Sequence, residues 1–258
     1  MIGLIDADHI MYLICWNKKD ETLKSLEDCY SAVDSYVLKL VNTLDLTSIH
    51  LFLTIGRGFR YRLYPKYKAN RINNVKPEFF KEVRNYLIEK YNAIYLEDNL
   101  EADDLVNIYK THYINTNQKY CIISPDKDVK NLCGYHFYIK ENVINIISTS
   151  HEQEYFWKSM IIGDTGDNIK GIPKKGIVFA DKLYEECLDK SNEERTFELF
   201  REKILTEYIK YFEVQEGIEE FYLNYKMLKI LDKYEGIKFQ EPVKIKDIYA
   251  RTIGVVGQ

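Results

Sequence analysis

Apolar residues along this chain alternate between short unbroken runs and longer stretches at helical spacing. Ile2–Ile5, Ile49–Thr54, Ala93–Leu96 and Tyr120–Ile123 are runs of four to six residues dominated by apolar side chains, and they predict buried strands. Tyr135–Ile139 and Val143–Ile147 add two more short strands. Helices are predicted between them: one to about Trp16, one over Leu26–Leu44 with Tyr30, Val33, Val37, Leu40, Val41 and Leu44 on one side, and one over Pro77–Tyr91 with Phe80, Val83, Leu87 and Ile88 inward. A further helix opens at Glu101 and carries Leu105, Val106, Ile108 and Tyr109. Strands alternating with helices predict an α/β domain with a largely parallel sheet. Ser150 is placed to cap a helix from His151, and the pattern stays helical to about Tyr234. Two units follow, 1–150 and 151–258, with no repeat, low-complexity tract or Gly/Ser linker between them.

The stretch 55–77, IGRGFRYRLYPKYKANRINNVKP, interrupts the alternation. It is too long for an ordinary connection, and Gly56, Gly58, Pro65 and Pro77 predict broken structure. Arg60, Arg62, Lys66, Lys68 and Arg71 interleave there with Phe59, Tyr61, Tyr64 and Tyr67. Such a segment is either a solvated loop held by aromatic packing or a nucleic-acid contact, in which cations meet phosphates and rings stack on bases. Charge favours the contact. The net charge is −4, yet from Arg57 to Lys90 ten Lys or Arg face three acids, Glu78, Glu82 and Glu89.

Composition narrows the class further. A 46% hydrophobic and 29% charged chain of 258 residues can bury substantial cores. No apolar run approaches the roughly 20 residues that span a bilayer. Asp6 and Asp8 within the first apolar stretch, without a basic region before it, exclude a signal peptide. The five cysteines form no CxxC pair and read as reduced thiols, so a cytoplasmic protein without a membrane partner is expected. The five histidines show no zinc spacing.

Acidic residues cluster where ligands bind in α/β sheets, beyond the C-terminal ends of strands. Glu101, Asp103 and Asp104 open a helix, while Asp126 and Asp128 follow the run Tyr120–Ile123. One or two of the first three are accounted for as helix caps, and the last two as turn formers. Together they crowd like charges near one sheet edge, and hard oxygen ligands of this kind suit Mg²⁺ or Mn²⁺.

The residues Leu4-Ile5-Asp6, FRYRLYPKYKANR, EADD, SPDKD and GDTGDNIKGIP run in the order found in one family. Over about its first 185 residues the chain resembles the 5′-nuclease superfamily: flap endonucleases, 5′-nuclease domains of bacterial DNA polymerases, and bacteriophage 5′–3′ exonucleases. The resemblance implies a PIN-like α/β nuclease domain over 1–150, a basic arch over 56–76, and a helical DNA-binding module with a helix–three-turn–helix motif over 151–258. It places Asp6, Glu101, Asp103, Asp104 and Asp126 around one metal ion and Asp128, Asp164 and Asp167 towards a second. Lys68 and Arg71, with Asp126, become the catalytic candidates. Arg57, Phe59, Arg60, Arg62, Lys66 and Tyr67 in the arch, alongside Lys68 and Arg71, and Lys170, Gly171, Lys174, Lys175 and Gly176 in the later turn, become the DNA contacts.

Two departures stand out. The family's second strand ends in another acid, whereas this chain has Thr54-Ile55-Gly56; Asp8 is the acid available to compensate in part. The duplex-gripping turn has a second glycine where Lys174 or Lys175 stands here. The implied activity is metal-dependent phosphodiester hydrolysis at DNA 5′ ends, flaps or nicks, extending to RNA–DNA hybrids. A haloacid-dehalogenase-type phosphatase, built on Asp6-Ala7-Asp8, is the competing enzyme class; it leaves EADD and the basic segment without a role. A nuclease-like protein that binds DNA or RNA without cutting it is the third reading.

Overall fold

A computed structural model describes residues 1–15, 25–71 and 75–253, with side chains to residue 250. Trp16 and residues 72–74 of the basic segment lie outside the described residues. Strands β1 (Ile2–Asp6), β2 (Ser48–Phe52), β3 (Tyr120–Ile123) and β4 (Gly134–Tyr138) run parallel, in spatial order β4-β3-β1-β2. β5 (Val143–Ile147) adds antiparallel to β4. The α/β architecture with a largely parallel sheet is therefore present as expected.

Successive residues of the central strands supply opposite faces. Ile5, Ile49, Leu51, Cys121 and Ile123 enter the core beneath helices α1 (Asp8–Cys15), α2 (Leu26–Leu44) and α4 (Phe80–Tyr91). Leu4, Phe52, Tyr120 and Ile122 pack on the other side against α5 (Ala102–Asn115) through Leu105, Val106, Ile108 and Tyr109. Strands buried on both faces read as continuous apolar runs, which is why their bounds were legible. α2 matches its expected range because Ser25 and Asp28 form a reciprocal capping box at its start.

Four expectations change. Ala93–Leu96 is not a full strand: only Ile94 bridges to Phe52, because the outer edge of β2 is shared with β8 (Val243–Lys244), which pairs with Ser48 and Ile49. The segment after β2 is not irregular: Phe59–Leu63 forms a short helix, α3, and Ala69–Arg71 a 3₁₀ turn. Helix α6 (Thr149–Ile162) starts two residues early, since Ser148 rather than Ser150 accepts the His151 N–H, at 3.1 Å.

The last concerns the domain division. β6 (Gly163–Asp164), β7 (Ile169–Lys170), α7 (Ile177–Glu185), α8 (Glu193–Phe212) and α9 (Val214–Leu228) surround a second core containing Trp157, Met160, Phe200, Ile204, Tyr208 and Phe221. The tail then leaves this unit. Ile230, Leu231, Tyr234 and Ile237 pack on the α5 side of the sheet, and Val243 and Ile248, the latter on α10 (Ile245–Ile253), join the α2 side. The boundary at residue 150 thus fails for the tail, which belongs with the α/β core. Among the described residues no helix is long and apolar enough to cross a membrane.

Candidate metal centre

β1 lies between β2 and β3, and the chain's crossovers leave it in opposite directions, which opens a crevice at the strands' C-terminal ends. Asp6 is the last residue of β1 and 7% exposed. Its Oδ2 accepts the Ser124 hydroxyl at 2.8 Å and its Oδ1 the Asp8 N–H at 3.2 Å. Ser124, directly after β3, also accepts the Asp126 N–H at 3.0 Å. Asp126 Oδ1 in turn accepts the N–H of Asp128 at 2.8 Å, folding the SPDKD turn back on itself. Glu101 and Asp104 cap the start of α5 reciprocally, leaving Asp103 between them beside the crevice. The Asp164 and Asp167 carboxylates come from the β6–β7 turn, where Asp164 Oδ1 accepts the N–H of Gly166 at 2.7 Å. Asp103, Asp128, Asp164 and Asp167, with Lys127 and Tyr67, line a cavity of about 220 Å³.

These acids divide by what neutralises them. Arg60 pairs with Glu101 at 3.0 Å and Asp104 at 2.7 Å, and Lys68 pairs with Glu101. Arg71 reaches Asp167 at 2.5 Å, and Lys127 reaches Asp164 at 2.8 Å. Asp128 receives the Tyr155 hydroxyl at 2.5 Å, with Lys127 3.9 Å away. Among the described residues, no Lys or Arg forms an ion pair with Asp6, Asp8, Asp103 or Asp126.

Protonation follows this division. Burial, with Asp8 and Asp126 nearby, pushes Asp6 up to about 7. Burial and Glu101 push Asp8 up to about 6, against hydrogen bonds from Thr54. Burial, then Asp104 and Glu101, raises Asp103 well above the carboxylate range. Burial also works on Glu101, but Lys68 and Arg60 outweigh it and hold that carboxyl below its ordinary value. Asp6, Asp8 and Asp103 form no ion pair with a Lys or Arg among the described residues and offer oxygen donors only, which fits a divalent ion; Asp103 also brings a ligand atom within 4.8 Å of atoms from Glu101 and Asp104, the two acids that Arg60 and Lys68 neutralise.

A consequence is measurable without substrate. Asp6 holds its proton to about 7 in the folded chain against 3.8 ordinarily, so stability falls as pH rises through 7. Half-buried His9 and buried His50 and His136, lowered to about 4, act with the opposite sign, and at pH 6.5, where their unfolded forms are half protonated, each still costs about 0.4 kcal/mol. Asp6→Asn isolates the carboxyl, because the histidines are common to both proteins: in chelator, the stability of the unsubstituted chain relative to Asp6→Asn is expected to fall by about 1 kcal/mol, or roughly 2–4 °C, from pH 6.5 to pH 8. Saturating Mn²⁺ should stabilise more at pH 8, because the ion competes with the protons. A stability difference between the two proteins that stays the same at both pH values would contradict the assignment of a protonated buried carboxyl.

Within the segment expected as a basic arch, several described residues turn inward. Arg60, placed among the DNA contacts, is 2% exposed and directs its guanidinium into the acid cluster. Tyr67, expected to stack on a base, is also 2% exposed; its hydroxyl lies 2.8 Å from Glu101 Oε2 and 3.0 Å from Asp167 Oδ2. Phe59 packs on the α5 core, and Tyr61 and Tyr64 join Tyr67 against Met227. For these rings the aromatic-packing reading holds. Arg62 donates to the Asp98 carbonyl at 2.5 Å, whereas Arg57 and Lys66 remain exposed at the rim. Lys68 and Arg71 stand beside the carboxylates, Lys68 with a left-handed φ of 52° that costs about 1–2 kcal/mol in a non-glycine residue.

In the later turn Lys170 and Lys174 are exposed, and Lys175 pairs with Glu207 at 3.3 Å. Lys174, one of the two residues at the expected second glycine, itself adopts φ 63°. Gly171 has a packing reason beyond any DNA role, since a Cβ there would strike the backbone of Ile161 and Ile162. Gly176 precedes α7, whose N-terminus has no side-chain cap. Sequence reasoning missed Ser124, Thr54, Lys127 and Tyr155 as site partners. Only Ser124 carried a signal, as a hydroxyl between a strand end and an acidic turn.

Residues 1–160 match the family described as 5′-3′ exonuclease, N-terminal resolvase-like domain. The chain belongs to this family. Among its relatives, a "5'-3' exonuclease" of Buchnera aphidicola subsp. Acyrthosiphon pisum (strain APS) is 29% identical over 142 residues, covering 50% of this chain and 49% of that protein. The "DNA polymerase I" of Rhizobium leguminosarum is 32% identical over 147 residues, covering 52% of this chain and 14% of that protein. The matched stretch thus spans about half of the first relative and a small part of the second. The family fold is shared with the bacteriophage T5 flap endonuclease solved with DNA and metal ions, at TM-score 0.55, 16% identity and coverage of 90% of this chain and 99% of that one. It is shared also with the catalytic core of Rad2 in complex with DNA substrate, at TM-score 0.57, 12% identity and coverage of 100% and 88%.

Proposed function

We propose that this chain is a divalent-metal-dependent 5′-nuclease that hydrolyses phosphodiesters at or near DNA 5′ ends. The observation that carries the reading is a strand-end crevice at which Asp6, Asp103 and Asp126 form no ion pair with a Lys or Arg among the described residues. A divalent ion held there supplies Lewis-acid polarisation of a phosphate and a nucleophile at neutral pH. Mg²⁺ or Mn²⁺ suits the oxygen-only donors, and a second ion at Asp128, Asp164 and Asp167 would have to displace Lys127 and Arg71, which pair with Asp164 and Asp167.

The chain's own residues do the remaining work. Asp126 presents an exposed carboxylate on a turn fixed by Ser124 and the Asp128 N–H. Lys68 and Arg71 place positive charge at the crevice, where a phosphate passing through its transition state gathers negative charge. Lys66 and Arg57 extend that positive rim, and the uncapped start of α7 with Lys170 and Lys174 offers backbone N–H groups and charge to a duplex phosphate. DNA with a 5′ end, flap or nick is the proposed partner, with an RNA–DNA hybrid as a further substrate. The phosphatase reading would use Asp6 and Asp8, with GDTGDN as its late acidic motif, and leaves Glu101, Asp103 and Lys68 without a task.

One gel tests this. End-labelled duplex, nicked, flapped and RNA–DNA hybrid substrates are incubated with Mg²⁺, Mn²⁺ or chelator. Shortening from the 5′ side or flap removal, abolished by chelator, is the expected result. Binding of these substrates without metal-dependent cleavage of any of them would establish the binding-only reading instead.

A further inference from the structure

Asp8 stands in the first turn of α1, and its surroundings tie it to three elements at once. Its N–H donates to Asp6 Oδ1 at the end of β1, at 3.2 Å. Its own Oδ1 accepts the Thr54 N–H at 2.9 Å, just beyond β2. The Thr54 hydroxyl in turn accepts the Ala102 N–H at the start of α5, also at 2.9 Å. The carboxylate is thereby fixed where β1, β2 and α5 converge, on the side of the crevice at which the chain after β2 contributes no acid of its own.

Capping Thr54 does not by itself call for a charge. A neutral Asn or Ser oxygen would accept the same N–H, and negative charge at this point is disfavoured by Asp6 on one side and Glu101 on the other. Lys68 opposes that repulsion in part, yet its ion pairs go to Glu101 and Asp167. A carboxylate held rigidly among like charges is favoured once a cation shares the space.

We propose that Asp8 is part of the divalent-cation site, supplying on the β2 side the carboxylate that Thr54-Ile55-Gly56 does not provide. The proposal rests on the metal-dependent reading above and adds to it one residue and one role. Asp8 places a hard oxygen beside Asp6, and Thr54 holds it there through one backbone and one hydroxyl group.

The test measures Mn²⁺ binding by calorimetry, without DNA, for the unsubstituted chain, Asp8→Asn, Asp126→Asn and the exchange Asp8→Thr with Thr54→Asp. Asparagine retains an acceptor for the Thr54 N–H, and its neutrality relieves repulsion against Asp6. Asp8→Asn is therefore expected to melt no lower than the unsubstituted chain in chelator, a result that separates a metal role from a structural one. Mn²⁺ affinity should fall at least about tenfold in Asp8→Asn, and the exchange should recover most of it by returning a carboxylate to the same junction. Affinity unchanged in Asp8→Asn but weakened in Asp126→Asn overturns the role of Asp8 while leaving the metal-dependent reading standing. Absence of Mn²⁺ binding by the unsubstituted chain overturns both. Should Asp8→Asn fail to fold, the exchange variant carries the test: Mn²⁺ binding restored to the original affinity supports the proposal, and binding lost in the folded exchange variant overturns it.

Discussion

Asp126→Asn is expected to lower cleavage by about 10³-fold or more, the upper end of what removing one charge-stabilising group costs an active site. DNA affinity should hold or rise slightly, since the variant presents one negative charge fewer to a polyanion. The substitution is clean because of what Asp126 already does. Its Oδ1 accepts the N–H groups of Asp128 at 2.8 Å and Val129 at 3.4 Å, and an asparagine oxygen can accept both. The turn after β3 therefore keeps its shape, while the negative charge that Asp126 adds near Asp6 disappears. Single-turnover cleavage and fluorescence anisotropy on the same flapped substrate separate the two effects. Full turnover by the variant would remove Asp126 from the metal site, and with it the link between the β3 turn and catalysis.

The strands and α2 were legible because their signals are local. β1 and β3 are buried on both faces and read as apolar runs, while α2 carries both a capping box and a one-sided apolar stripe. The segment after β2 was not legible, because α3 spans only Phe59–Leu63 and owes its existence to what Arg60 meets elsewhere. Nothing local distinguishes Arg60 from Arg57 or Arg62, yet the first is buried and the other two are exposed. Adjacent acids pose the same difficulty. Asp103 and Asp104 look alike in EADD, but Asp104 is fully buried against Arg60 and Asp103 borders the cavity. A charge pattern reports how many cations and anions a segment holds; which of them neutralise each other is decided by tertiary contacts. For the same reason the excess positive charge between Arg57 and Lys90 overstates the surface offered to DNA. Arg60, Lys68, Arg71 and Lys90 all pair with acids of the chain itself.

Those internal pairs make Arg60 the residue on which the site's assembly most depends, and Arg60→Met is expected to destabilise the folded chain by about 3–5 kcal/mol. All five guanidinium N–H groups have acceptors. Nε donates to the Met227 carbonyl at 3.0 Å, and NH2 donates to the Lys229 carbonyl and Asp104 Oδ1, both at 2.8 Å. NH1 donates to Asp104 Oδ2 at 2.7 Å and Glu101 Oε2 at 3.0 Å. One side chain thus joins α3, the start of α5 and the end of α9. Methionine fills similar volume but leaves Asp104 fully buried and without its Arg60 partner, which is the costly half of the pair to keep. Arg60→Lys should recover little, because a single ammonium cannot reproduce a planar fork serving two carboxylates and two carbonyls. Adding Asp104→Leu to Arg60→Met should make the double variant less destabilised than the sum of the two singles, as expected for a directly coupled pair. Recovery stays incomplete, since Asp104 Oδ1 also accepts the Leu231 N–H at 3.0 Å. Urea unfolding of the four proteins measures this directly. A loss below about 1 kcal/mol for Arg60→Met, the range of an exposed ion pair, would show that the guanidinium does not hold these elements together.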